Sequence, residues 1–180
     1  RLSGDGTLAV IDRVFHPANG RPMSEAPNRQ LVYGAFCDTD GQTLDLCLCT
    51  VSRGPHSYTG EDTVEINCHG GVYVVRRILE TVIKYGARPA DPGEFTKRAF
   101  LNGKMDLSQA EAVGDLISSK NEYALRSSVS QLKGNIKKEI QKIREEILYH
   151  TAFIETALDD PEHISVDGYG EKLEVVVEDH

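Results

Sequence analysis

Apolar and polar positions follow two periods along this chain. Leu31 to Cys37 and Leu44 to Val51 read as strands, and Asp38-Thr39-Asp40-Gly41 between them is a hairpin signal. In the second run Cys47 and Cys49 project to one side and Leu46 and Leu48 to the other, so both faces are apolar and a central strand is expected. A third run alternates more sharply: Thr63, Glu65 and Asn67 face one way, Val64, Ile66 and Cys68 the other. Gly70 and Gly71 end it, and apolar residues then return at threes and fours. Val72, Val75, Ile78, Leu79, Val82 and Ile83 predict a helix that Gly86 terminates.

The same periods place the remaining elements. Arg1 to Gly4 reads as the end of an element, and Thr7 is expected to cap a helix whose Leu8, Ile11, Val14 and Phe15 share a face. Pro17, Gly20, Pro22 and Pro27 mark a loop. Glu94 to Leu101 predicts a short helix stopped by Asn102-Gly103, with Lys104 in the connector beyond. A helical register starts at Asp106 or Ser108, with Glu111 placed for a capping box on Ser108. Leu132, Ile136, Ile140, Ile143, Ile147 and Phe153 predict one long bundle arm, stopped at Asp159-Asp160-Pro161-Glu162, and another helix starts near Gly170. Strands and helices mix up to Asn102 and helices alone follow. The fold class expected is α+β, a mixed sheet with helices over residues 1–102 and an all-helical segment over 103–180.

Size and charge narrow the function. At 180 residues and 39% hydrophobic content the chain can bury one core, with or without a helical appendage. A formal net charge of -8 argues against a general nucleic-acid surface, which needs clustered cations. Cys37, Cys47, Cys49 and Cys68 lack the spacing of a zinc site and the density of a disulfide scaffold, so reduced, buried thiols are expected and no metal site. No membrane span or signal peptide is evident, and a soluble cytoplasmic setting is expected. The start at Arg1 without methionine, and the end at Glu178-Asp179-His180 without a helix stop, read as a piece of a longer protein.

Glu65 is the first candidate for chemistry. A carboxylate in mid-strand among neutral neighbours must either meet water or bind something with donors. Lys104 follows a helix stop, where a long cation can be aimed at a neighbouring site or can serve as a plain polar connector. Cys68-His69-Gly70-Gly71 invites a thiol reading, yet no aspartate or asparagine is placed by the sequence to orient His69, and a strand-to-helix turn accounts for the glycines. No catalytic residue is assigned. The mixture of Lys133, Lys137, Lys138, Glu139, Lys142, Arg144, Glu145 and Glu146 reads as a solvated helix face, with a tRNA-facing side as the alternative.

The segments SYTGEDTVEINCHGG and RPADPGEFTKRAFLNGKMDLSQAEAV resemble, in order and spacing, blocks of the bacterial MnmE (TrmE) family of tRNA-modification GTPases. The resemblance runs from Arg1-Leu2-Ser3-Gly4 to the acidic break near Asp160. It implies a tetrahydrofolate-binding, aminomethyltransferase-like domain that mediates homodimerisation. It also implies a cofactor of the 5-formyl- or 5,10-methylene-tetrahydrofolate type held by Arg1, Glu65 and Lys104. Asn67-Cys68 departs from what many members carry before His69-Gly70-Gly71, away from those three positions. For the full-length protein the resemblance implies GTP hydrolysis with magnesium and potassium, the flavin-containing partner MnmG, and modification of the tRNA wobble uridine at C5. No G-x-x-x-x-G-K-[ST] occurs in this chain, so the GTPase domain is expected to lie outside it. A folate-dependent aminomethyltransferase and a dimerisation scaffold without ligand are the alternatives.

Overall fold

A computed structural model describes residues 1–163, 165 and 167–178. Five strands, β1 (Leu2–Ser3), β2 (Phe15–Pro17), β3 (Leu31–Cys37), β4 (Thr43–Ser52) and β5 (Thr63–Asn67), form one sheet in the order β1-β5-β4-β3-β2. Every pairing is antiparallel. The α+β class is as expected, but the sheet is antiparallel throughout rather than mixed, because β3 and β4 form a hairpin and no helical crossover joins two paired strands. As expected, β4 is central.

Helices α1 (Thr7–Val14) and α2 (Val72–Lys84) cover one face of the sheet. Register decides what lies beneath them: Val51 stands opposite Val64, and Cys49 opposite both Ile66 and Val32. Together with Ile11, Val14, Phe15, Met23, Phe36 and the α2 residues Ile78 and Val82 they make the core. Thr7 is not the cap of α1: Gly6, at φ 82°, takes that position, and no side chain caps the helix. Of the apolar stripe expected on α2, Ile78 and Val82 go under, whereas Val72, Val75 and Leu79 stay exposed. Asp38 closes the hairpin by accepting from the backbone N–H groups of Asp40 and Gln42, and Arg77 of α2 reaches its other oxygen at 3.1 Å.

The opposite face of the sheet is open. Leu31, Tyr33 and Leu46 are 57%, 53% and 51% exposed, although the pattern gives β4 two apolar faces. At Gly34 the strands β2 and β3 approach too closely for any side chain, since a Cβ there would lie 2.5 Å from the His16 carbonyl oxygen and 2.7 Å from the Phe15 ring. The cysteines are free thiols. Burial pushes Cys49 up to about 12 and Cys47 up to about 11.

Beyond the sheet come α3 (Glu94–Leu101), α4 (Leu107–Ser118), α5 (Glu122–Leu132), α6 (Asn135–Asp159) and α7 (Tyr169–Glu178). The cap of α4 is Asp106 in a reciprocal box with Gln109, not Ser108 with Glu111. The long arm expected through Leu132 is two helices, because Gly134 at φ 74° ends one and starts the next. Gln109 braces that break by donating to the Leu132 carbonyl at 2.9 Å. Tyr169 of α7 stacks on Phe153 and bonds His150 at 2.6 Å. Residues 179 and 180, where the last helix was expected to run on, lie outside the described residues. No helix among the described residues is long and apolar enough to cross a membrane.

Gly34→Ala is expected to lower stability by about 1–3 kcal/mol, as overpacking does, because the atoms in its way are a strand backbone and a buried ring. A denaturant titration showing an unchanged midpoint would contradict this packing.

Candidate functional site

Strand β1 is only two residues long, yet it sets the geometry of the site. It pairs with β5 in the register Leu2 to Val64 and Ser3 to Thr63, which brings Arg1, one residue earlier, beside Glu65. Arg1 Nε lies 2.8 Å from Glu65 Oε1, with the two side chains 43% and 40% exposed. The Arg1 guanidinium also sits over the Tyr58 ring, 5.6 Å from its centre. Across from Glu65 on the other side stands Thr50, whose Oγ1 is buried without a hydrogen-bond partner. Glu65 is thus a half-buried carboxylate with one oxygen occupied by a cation.

The loop between β4 and β5 carries Tyr58 and is held from both ends. Asp62 accepts from the Gly54 N–H at 3.0 Å, and the Ser57 hydroxyl donates to the Glu61 carbonyl. Gly54 is needed there, since a Cβ would lie 2.6 Å from the Gly60 carbonyl oxygen. The end of α3 then stitches the loop down. Asn102 donates to the Thr59 carbonyl at 2.7 Å, Lys104 donates to the Pro55 carbonyl at 2.8 Å, and the Tyr58 and Thr96 hydroxyls meet at 3.0 Å. Arg1 and Glu65 are therefore in direct contact. Lys104 makes no ion pair with Glu65 and reaches the pair only through the loop that carries Tyr58.

A polar knot lies beneath. Ser3 Oγ is 2.7 Å from Thr59 Oγ1 and donates to Glu61 at 3.1 Å, while Thr63 completes the hydroxyl cluster at 3.3 Å. Glu61 in turn meets Arg98 of α3 at 3.0 Å. Arg98 and Arg88 both clasp Glu94, with Arg98 at 2.9 Å. Bonds from Arg88, the Asp91 N–H and Arg98 hold the Glu94 carboxyl down at about 2. None of these partners follows from local pattern, although the polar run Ser57 to Thr63 marks where the knot forms.

The histidine reading changes. Asp45, far off in sequence, accepts from the His69 backbone N–H at 2.8 Å and faces His69 Nδ1 at 2.8 Å. Burial works to raise the Asp45 carboxyl, but the two His69 bonds outweigh it and leave it below the usual range. An orienting aspartate is therefore present, contrary to expectation. The ring is 79% exposed, and Cys68 packs toward the core instead of against it, so no thiol–imidazole pair is assembled. A cavity of about 500 Å³ opens beside β1 and α1, and neither Glu65 nor Lys104 lines it.

Comparison with known proteins identifies the family of both segments. Residues 1–104 match the family described as GTP-binding protein TrmE N-terminus, and residues 107–178 match the MnmE helical domain. The chain is 50% identical over 96% of its length to the tRNA modification GTPase MnmE of Lachnoclostridium phytofermentans, covering 38% of that protein. It is 48% identical over 90% of its length to the tRNA modification GTPase MnmE of Symbiobacterium thermophilum, covering 35% of it. The chain spans little more than a third of the relatives it matches.

The Glu94 clasp has a pH signature. Its folded value, about 2, lies below the ordinary 4.5, so its contribution is complete above pH 4.5 and is lost as pH falls toward 2. Glu94→Gln is expected to flatten the acid limb of stability in that window, measured by denaturant melts from pH 5 to 2. Parallel limbs in the two proteins would contradict the clasp.

Proposed function

The chain belongs to the TrmE/MnmE family, and from that premise we propose that it holds a one-carbon tetrahydrofolate, of the 5-formyl or 5,10-methylene kind, at Arg1 and Glu65. The observation that supports this most is the Arg1–Glu65 pair set against the Tyr58 ring. A pterin presents an N3–H and a 2-amino group side by side, which a carboxylate accepts in a two-pronged bond. Each carboxylate oxygen can accept two bonds, so Glu65 Oε1 can take one of these donors beside Arg1 Nε while Oε2 takes the other, and Tyr58 offers a flat wall. Thr50 adds an unpartnered hydroxyl next to the carboxylate. Lys104 uses one of its three N–H groups on Pro55, leaving two for a carbonyl or carboxylate of the ligand. Chemistry at the one-carbon unit is the cofactor's own; the chain supplies position and charge.

The same reading gives the open sheet face an occupant. Leu31, Tyr33 and Leu46 form an apolar surface on the face that also carries Glu65. A second copy of the chain would cover it, so that the homodimer and the ligand site share one face. The full-length protein, in this proposal, is a cytoplasmic GTPase using magnesium and potassium. With the flavin-containing MnmG it modifies C5 of the tRNA wobble uridine, and residues 103–180 begin the helical domain that carries its GTPase domain.

Calorimetric titration of 5-formyl-tetrahydrofolate tests the site. Charged hydrogen bonds of about 1.5–3 kcal/mol imply that Glu65→Ala weakens binding by at least about tenfold. Equal affinity in both proteins overturns the Glu65 assignment, and absence of heat in either supports a scaffold without ligand.

A further inference from the structure

Three of the four free cysteines meet on the helix-covered face of the sheet. Cys47 and Cys49 stand on β4 and belong to the core, while Cys68, partly exposed just past the end of β5, packs against it. Strand register decides which of them are partners. Leu48 stands opposite Asn67, so one step further along the antiparallel ladder Cys47 stands opposite Cys68. Directly opposed residues have Cα atoms about 4.5 to 5.5 Å apart, inside the range of about 4.4 to 6.8 Å that a disulfide spans. The other combinations fit worse. Cys49 faces Ile66, which puts it on the diagonal to Cys68, at about 7–8 Å. Cys47 and Cys49 are two positions apart on one strand, at about 6.7 Å, with their Cα–Cβ bonds parallel. Toward β3, Cys47 faces Gly34, Cys49 faces Val32, and Cys37 pairs with Thr43.

Two further observations keep Cys68 in that place. Asp45, two residues before Cys47, accepts from the His69 N–H at 2.8 Å and so holds the residue after Cys68 against β4, beyond the last backbone pair. The Cys68 thiol also lies near enough to add to the shift that burial and Asp45 impose on Cys47, which is pushed up to about 11. No group of His, Cys, Asp and Glu among the described residues could hold a metal ion, so the thiols are not gathered for one. We propose that Cys47 and Cys68 are a redox-active pair, which a hydroperoxide converts into a disulfide across the β4–β5 ladder. Cys68 is the more exposed of the two and meets the oxidant. Its sulfur, as the thiolate, attacks a peroxide oxygen; the O–O bond breaks, and a sulfenic acid and one water are formed from hydrogen peroxide. The Cys47 sulfur then attacks the sulfenic sulfur, and its proton leaves with the second water. Two thiols lose two electrons and two protons, and the peroxide takes them up. The new bond closes a ring of chain that contains Tyr58 and Glu65, and it ties β4 to the turn before α2. Both thiols lie on the face of the sheet opposite Glu65, so this chemistry does not depend on a ligand there.

Peptide mass mapping tests the pair. The folded chain is treated with hydrogen peroxide, unfolded in iodoacetamide to cap the remaining thiols, and digested without reductant. The expected main product is the Cys47 and Cys68 peptides joined, two hydrogens lighter than their sum and separated by dithiothreitol, with Cys37 and Cys49 capped. Cys68→Ser is expected to abolish the joined peptides and leave Cys47 capped, whereas Cys49→Ala forms them to the same extent. The oxidised chain is also expected to unfold at a higher denaturant midpoint than the same sample after dithiothreitol, because the bond constrains the unfolded chain. Capped Cys47 beside a Cys68 that has gone on to the sulfinic acid overturns the proposal, as does a bond from either residue to Cys49, to Cys37 or to a second chain. A lower midpoint on oxidation overturns it as well, since a bond between opposed strand positions forms without distorting the sheet.

Discussion

The attachment of a two-residue edge strand is the constraint on which the site depends. A ladder that short contributes little by backbone pairing alone. Side chains complete it: Ser3 reaches Thr59, Thr63 and Glu61 at once, and Arg98 ties Glu61 to α3. The knot therefore fixes three things together, the edge strand, the β4–β5 loop and the helix after it. Were β1 to lift away, Arg1 would leave Glu65, Tyr58 would lose the guanidinium above it, and the arginine-lined cavity would lose one wall.

Charge is distributed to the same end. The chain as a whole is acidic, yet the region around β1 and α3 gathers arginines in pairs with carboxylates. In high dielectric such pairs add little stability singly, but several in series hold orientations. Arg88 and Arg98 are both bonded to Glu94, whose acidity is deepened by the clasp, and Arg1 is kept over Tyr58 by Glu65. The open face of the sheet serves another purpose. Its leucines and Tyr33 carry no such pairs and offer area rather than direction.

Local pattern was enough for elements whose ends are written in their own residues. Strand β5, the hairpin closed by Asp38 and helix α3 stand where alternation, turn formers and Asn102-Gly103 put them. It failed where the deciding partner is remote. Asp45 beside His69, Glu61 under Arg98, and Thr50 opposite Glu65 are products of strand order, which periodicity does not encode. Capping went astray for a related reason: Gly6 starts α1 by conformation rather than by a side-chain acceptor, and Asp106 outcompetes Ser108 because Gln109 answers it. Glu65 was legible as a costly strand carboxylate, but its cation was not, since Arg1 reaches it only through the β1–β5 register. Both faces of β4 are apolar as the pattern requires, and it is tertiary arrangement that leaves one of them uncovered.

The folate proposal turns on Glu65 as an acceptor for two adjacent donors of a fused heterocycle. Proton NMR of bound 5-formyl-tetrahydrofolate labelled with ¹⁵N at N3 interrogates that bond itself. The account predicts a downfield, slowly exchanging N3–H resonance in the unaltered chain that disappears in Glu65→Ala. An N3–H resonance of the same shift and exchange rate in both proteins would contradict it.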